Sequence, residues 1–249
     1  MPVKPPRHYS RAPITEALID IQVDLPAGFD PGQLEEFHAS IASQYPVKNK
    51  GFDVQMQAEF SASQAGPART TQTLRGFAFI GTDGRQVVQV RRDGFTFSRL
   101  SPYQTWEDLR TEARRLWELY RSAVKPIQMT RVAVRYINQI DIPLPMDDFA
   151  DYLRTTPQVS SDLEQGLSTF FMRLEQPQSD IGAHLVLTEA MIPTTATNVC
   201  PVVLDIDVFG RDLKLTDDKK AWDFLELLRD RKNDVFEGCI TDATRRLIS

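Results

Sequence analysis

From Ile14 to Leu25 apolar and polar residues alternate, with Ala17, Ile19, Ile21, Val23 and Leu25 on one side and Glu16, Asp20, Gln22 and Asp24 on the other. A period of two predicts a strand with one face buried and one face wet. Asp30-Pro31-Gly32-Gln33 then reads as a helix start, with Asp at the cap, Pro in the first turn and Gln at the capping-box position. Leu34, Phe37 and Ile41 follow on one stripe, and Pro46 ends the segment. Between Phe52 and Leu100 the alternation predicts an antiparallel meander, with strands near 52–61, 70–81, 85–91 and 95–100 and a loop at 61–68. Its tight turns fall at Asp83-Gly84 and Asp93-Gly94, dipeptides that tolerate positive φ. Thr105-Trp106-Glu107-Asp108 opens a second helix that buries Leu109, Leu116, Tyr120 and Val124 and stops at Pro126.

The order then begins again. RVAVRYINQID, residues 131–141, predicts a strand, Asp147 to Leu153 a short helix, and 155–166 a loop. Strands follow near 168–176, 182–191 and 201–209, and a long helix runs from Asp217 to the end. Both opening strands close on Asp, an aliphatic residue and Pro: Asp24-Leu25-Pro26 and Asp141-Ile142-Pro143. Counted from Trp106 and Trp222, Leu109 and Leu225, Tyr120 and Phe236, and Val124 and Ile240 occupy equivalent places on one helical face. The fold class expected is therefore α+β: a tandem duplication of a strand-helix-antiparallel strands-helix unit, with halves 1–126 and 127–249. Two such halves would share a curved antiparallel sheet, with helices packed on one face and the other face open, and would behave as one cooperative unit. The element order resembles the duplicated plan of the TATA-binding protein, a likeness that carries no function.

The 249 residues, 41% hydrophobic and 25% charged, are enough to bury a sizeable core. No apolar run approaches the ~18 residues that cross a bilayer, and MPVKPPRHYS has prolines where a signal peptide needs an apolar stretch. These features lead to the expectation of a cytoplasmic protein. Cys200 and Cys239 are too few for a disulfide framework or a four-cysteine metal site, and we expect buried, reduced thiols. A net charge of −5 and a pI near 5.3 argue against generic attraction to nucleic acid or to a membrane surface. The chain has no phosphate-cradling Gly-rich loop with Lys, no Gly-x-Ser-x-Gly, no His-Glu-x-x-His and no Cys-x-x-Cys, and His8, His38 and His184 lack ligand spacing. We therefore expect no cofactor and no metal. An enzymatic role is the weaker expectation, although catalytic groups can assemble from distant segments.

Three ordered motifs carry a resemblance: Pro13-Ile14-Thr15-Glu16-Ala17, Arg135-Tyr136-Ile137-Asn138-Gln139-Ile140, and Asn233-Asp234-Val235-Phe236 followed by Ile240-Thr241. Together they resemble a family of prokaryotic proteins of similar length, sporadically distributed among bacteria and archaea. The resemblance covers essentially the whole chain. It implies no catalytic or binding residues; the patchy distribution implies an accessory protein, as in defence or toxin-neutralising systems.

Arg131, Arg135 and Gln139 share one strand face. If the opening strands of the two halves are neighbours, Glu16 and Asp20 come within reach of the arginines, as cross-strand ion pairs or as a surface that grips an acidic partner. We favour the internal pairs. Asn138 lies on the opposite, apolar face, where an unpaired amide costs about 1–3 kcal/mol. With Tyr136, Trp106 and Trp222 it could line a pocket between helix and sheet. Lys232 and Asn233 interrupt the apolar stripe of the last helix; we read Asn233 as capping a second segment or pointing to water, and keep it as a pocket residue. Asp205 and Asp207 read as a solvated strand face.

The leading functional expectation is a non-enzymatic interaction or regulatory module whose open sheet face docks a protein partner. The alternatives are a small-ligand-binding protein that uses the helix-sheet pocket, and nucleic-acid binding along the open face, which would need a continuous basic stripe.

Overall fold

The computed structural model describes residues 7–57, 60–61, 64–65, 69–160, 162 and 167–249, with side chains described outside 52–73. The expected N-terminal proline-rich start and parts of the 52–61, 61–68 and 155–166 segments lie outside these residues. The strands are β1 (Ile14–Asp24), β2 (Val47–Gln57), β3 (Phe60–Ser61), β4 (Gln64–Ala65), β5 (Arg69–Ile80), β6 (Gln86–Arg91), β7 (Gly94–Leu100), β8 (Gln128–Pro143), β9 (Phe171–Gln178), β10 (Ala183–Met191) and β11 (Val199–Gly210). The helices are α1 (Gly32–Ile41), α2 (Trp106–Val124), α3 (Asp218–Cys239) and α4 (Asp242–Ile248). The fold is α+β. Nine strands form one antiparallel sheet in the order β2-β5-β6-β7-β1-β8-β11-β10-β9, and β3 and β4 pair apart from it.

The alternation in β1 has the consequence its sequence implies: Ala17, Ile19 and Ile21 are wholly buried. Ile19 lies opposite Phe97 of β7 and Val134 of β8, so β1 and β8 are antiparallel neighbours in the middle of the sheet. Thr105 caps α2, its Oγ1 accepting from the Asp108 amide at 3.1 Å, and Lys125 ends the helix in the left-handed region (φ 48°) just before Pro126. The stripe of Trp106, Leu109, Leu116, Tyr120 and Val124 is buried, and α2 packs against β7 and β1. Asp217 caps α3, whose stripe of Ala221, Trp222, Leu225 and Leu228 packs against β8 and β11. Burying a large apolar side chain of this kind stabilises by about 1.5–3 kcal/mol. The two long helices are also tied directly, since Trp106 Nε1 donates to Glu226 Oε2 (2.9 Å) and Trp117 Nε1 to Asp218 Oδ1 (3.3 Å).

Several boundaries differ from the sequence expectation. The last helix is two helices, because Ile240 is extended (φ −108°, ψ 152°) and bridges Leu153. Thr241 Oγ1 then accepts from the amides of Ala243 (3.2 Å) and Thr244 (3.5 Å), a new N-cap that competes with continuation of α3. Asp147 to Leu153 holds only a 3-10 turn, Phe149–Asp151, capped by Asp148. β2 begins at Val47, earlier than the alternation suggested, and β9 at Phe171, later than it suggested. Gly84 takes the positive φ (67°) expected of its turn. No helix of the described residues is long and apolar enough to cross a membrane.

Candidate functional site

Two regions gather the candidate residues. The first is the sheet face opposite the buried residues of β1 and β8. Asp20, 8% exposed, accepts from Thr96 Oγ1 (2.6 Å), Arg91 Nη2 (2.8 Å) and Arg131 Nη1 (2.8 Å). Arg131 crosses from β8 to β11, its guanidinium 4.4 Å from the centroid of the Phe209 ring, and donates to Asp207 at 2.8 Å. Arg135 reaches diagonally across the β8–β11 pair to grip Asp205 with two nitrogens, Nε to Oδ1 at 2.8 Å. Burial raises the pKa of Asp207 against the opposing pull of Arg131, while the bond to Asp205 raises that of Arg135. Gln139 donates to Asp141 at 2.9 Å, and Glu16, opposite Ile137, adds to the field at Arg135.

The reading of Asp205 and Asp207 as solvated is corrected. Asp205 is 8% exposed, and both carboxylates are held by arginines on the adjacent strand. Strand spacing alone placed them on one face; the β8–β11 register supplied the counterions.

The second region is a cleft of about 920 Å³. Its walls are the N-terminal segment 7–14, the 101–107 connection into α2, the core-facing side of β8, and the C-terminal part of α3. The N-terminal segment is held in place at several points. Arg11 N donates to Ile248 O (3.0 Å), Gln139 N donates to Pro13 O (2.9 Å), and Tyr9 Oη donates to Glu237 Oε1 (2.5 Å). Tyr9 also meets Phe236 edge-on, with centroids 6.2 Å apart. On another wall the hydroxyls of Tyr103 and Tyr136 are hydrogen-bonded at 3.0 Å. Burial pushes Tyr103 up to about 12 and Tyr136 well above its ordinary value, so both phenols stay neutral.

Lys232 is the unusual member of this wall. It continues the core stripe of α3, one heptad beyond Leu225, and is 9% exposed. Its Nζ stands 3.8 Å from the centroid of the Tyr136 ring. Among the described residues it has neither a hydrogen bond nor an ion pair. Burial lowers its pKa to about 7; Arg229 adds to the fall and Asp230 opposes it.

Of the sequence-predicted pocket residues, Tyr136, Asn138, Trp106 and Asn233 line this cleft. Trp222 does not; it is 2% exposed in the core beneath α3. Asn138 spends its amide on Leu204 O (2.9 Å), the backbone partner expected of a buried Asn. Asn233 caps nothing, since it lies within α3 and the helix breaks later, at Ile240. Sequence reasoning noted Lys232 as an interruption of the apolar stripe but did not name it as a pocket residue. Its signal was there in the heptad spacing, because a lysine on a core stripe must either bend the helix, reach solvent or be buried.

A second buried ionisable group lies outside the cleft lining. Glu189 on β10 is fully buried, neither carboxyl oxygen has a hydrogen-bond partner among the described residues, and burial raises its pKa to about 8. Cys239 and Cys200 are both free and buried, and burial lifts the Cys239 thiol to about 12. No group of three or more His, Cys, Asp or Glu that could hold a metal ion occurs among the described residues.

No known protein-family model matches this chain, and no curated protein is significantly similar to it in sequence.

Proposed function

We propose that this protein binds a small molecule in the cleft between the N-terminal segment, the 101–107 connection, β8 and α3. The observation that carries this reading is a cleft of about 920 Å³ whose wall includes a buried lysine that has neither a hydrogen bond nor an ion pair among the described residues. Pockets for small organic ligands span about 300–1,000 Å³ and combine apolar walls with a few convergent polar groups. The aromatic residues Tyr9, Tyr103, Trp106 and Phe236 and the polar Asn138 and Lys232 are such a set. This reading ranks above docking of a protein partner on the open sheet face, because Arg131 and Arg135, the cations that would grip an acidic partner, are already held by Asp20, Asp207 and Asp205. The same pairing works against a continuous basic stripe for nucleic acid.

The proposal includes the duplication. Read outward from the β1–β8 seam, the strand order is β1-β7-β6-β5 with β2 added at the edge on one side and β8-β11-β10-β9 on the other, and each half continues into a long helix after β7 or β11. We read residues 1–126 and 127–249 as two copies of one unit, with their helices on a common face of the sheet. Both halves contribute to the cleft walls, which supports one cooperative unit.

Gly238 provides the test. It lines the cleft, and a Cβ added there meets no atom within 4 Å, so Gly238→Trp starts a bulky side chain from open space at the cleft wall. A metabolite library is screened by thermal shift against the wild type and this variant. Compounds that raise the melting temperature of the wild type alone support the reading. A library in which no compound separates the two proteins refutes it.

A further inference from the structure

We propose that the cleft takes an organic anion, whose carboxylate or phosphate group docks on Lys232 Nζ. The proposal rests on the ligand-binding reading above and names the chemical class of its ligand. An ammonium group withdrawn from water without a counterion is among the costliest arrangements in a folded protein. An apolar side chain at position 232 would continue the stripe of Leu225 and Leu228 without that cost. The residue's remaining exposure, 9%, opens on the cleft that it lines, so a bound ligand can reach the amine.

The charges around it favour an anion. Arg7, Arg11, Arg154, Arg229, Lys232 and Arg245 line the cleft against four carboxylates, an excess of two positive charges with the lysine protonated. Two of those carboxylates, Glu237 and Asp230, are already paired within the lining. Glu237 is shared by Tyr9, Arg7 and Arg245, and Asp230 pairs with Arg229 at 2.8 Å. From its own helix Lys232 feels Arg229 and Asp230; from β8 it meets the Tyr136 ring, whose hydroxyl is bonded to Tyr103 of the connection into α2. The N-terminal segment adds Arg7, His8 and Arg11 to the same space. No carboxylate on these elements reaches the amine, and an anionic ligand would supply one. The aromatic side chains Tyr9, Tyr103 and Phe236 would then pack against the apolar body of the ligand.

An amine poised near neutrality also gives binding a proton signature. The anion favours the ammonium form, so its arrival draws a proton onto Lys232, and by linkage the affinity falls as the pH rises above the pKa of the empty site.

The test uses matched probes that differ in charge: adenosine 5′-monophosphate with adenosine for the phosphate arm, and indole-3-acetate with indole-3-acetamide for the carboxylate arm. Binding is measured by calorimetry on the wild type, on Lys232→Met and on Gly238→Trp. At least one anion is expected to bind the wild type at least about tenfold more tightly than its neutral twin. Lys232→Met should erase that discrimination while keeping whatever affinity the neutral twin has, and the arm that responds identifies phosphate or carboxylate. If the neutral twins bind as well as the anions, or Lys232→Met keeps full discrimination, while Gly238→Trp still abolishes binding, the anion proposal falls and the ligand site stands. If none of the four probes binds, or if Gly238→Trp leaves their binding intact, the ligand-binding reading fails and the anion proposal fails with it.

Discussion

Replacing Lys232 with methionine should make the unliganded protein more stable. A fall of the lysine pKa from 10.5 to about 7 means that the folded state holds this proton more weakly than the unfolded chain does. At about 1.36 kcal/mol per pH unit, the resulting penalty at pH 7 is on the order of 4 kcal/mol. The ring of Tyr136, 3.8 Å from Nζ, offsets about 2 kcal/mol of this through cation–π attraction. Methionine keeps the unbranched apolar stem and loses the charge, so Lys232→Met should gain about 2–4 kcal/mol at pH 7. For a chain of this size the gain corresponds to a rise in melting temperature of about 4–16 °C.

The gain must also depend on pH in one direction. The penalty is fully present below pH 7, shrinks as the unfolded chain loses its advantage between pH 7 and 10.5, and vanishes above that window. Urea unfolding followed by circular dichroism at pH 6, 7, 8.5 and 9.5 reads the difference between the two proteins, in which all other titrating groups cancel. A variant less stable than the wild type at pH 7, or a gain that stays constant across the series, would refute the premise that Lys232 is buried without a counterion.

Glu189 titrates in the opposite sense. Its folded pKa, about 8, lies above the ordinary 4.5, so its cost is absent below pH 4.5, grows up to pH 8 and stays constant beyond. Relative to Glu189→Gln, the wild type should lose on the order of 4 kcal/mol between pH 4.5 and 8, measured by the same unfolding series. Asp20→Ala removes the carboxylate shared by Arg91, Arg131 and Thr96 on a nearly buried face, leaving Arg91 with Asp93 and Arg131 with Asp207, and should cost about 1–3 kcal/mol; a double-mutant cycle with Arg131→Met should show coupling, and additive effects would mean the ion pairs contribute little. Gly76→Ala places a Cβ 2.8 Å from the Arg91 Cα and closer still to the Val90 carbonyl oxygen across the β5–β6 pair. It should destabilise by about 3 kcal/mol in thermal unfolding, and a near-neutral result would show that the strands can separate locally.

The sequence by itself determined the elements and their buried sides. Alternation in 14–25 and 131–141 and the 3.6-residue stripe through Leu109, Leu116 and Tyr120 are local signals, because a side chain's direction follows from backbone period alone. The end of α2 was legible for the same reason, since Pro126 acts on its immediate neighbours. The break at Ile240 was not: it depends on Thr241 and Thr244 finding the backbone of Tyr152, roughly 90 residues away along the chain. The sheet-face arginines show the same division. Their common face could be read from spacing, and Asp20 could be named as a partner, but Asp205 and Asp207 became counterions only through the β8–β11 register, which sequence distance does not encode. The cleft is the extreme case. Tyr136, Asn138, Trp106 and Asn233 could be nominated one at a time, whereas the burial of Lys232 without a counterion among the described residues is a property of the space between the segments that meet there. Burial and counterion distance are set by where those segments meet, and only the tertiary structure decided that.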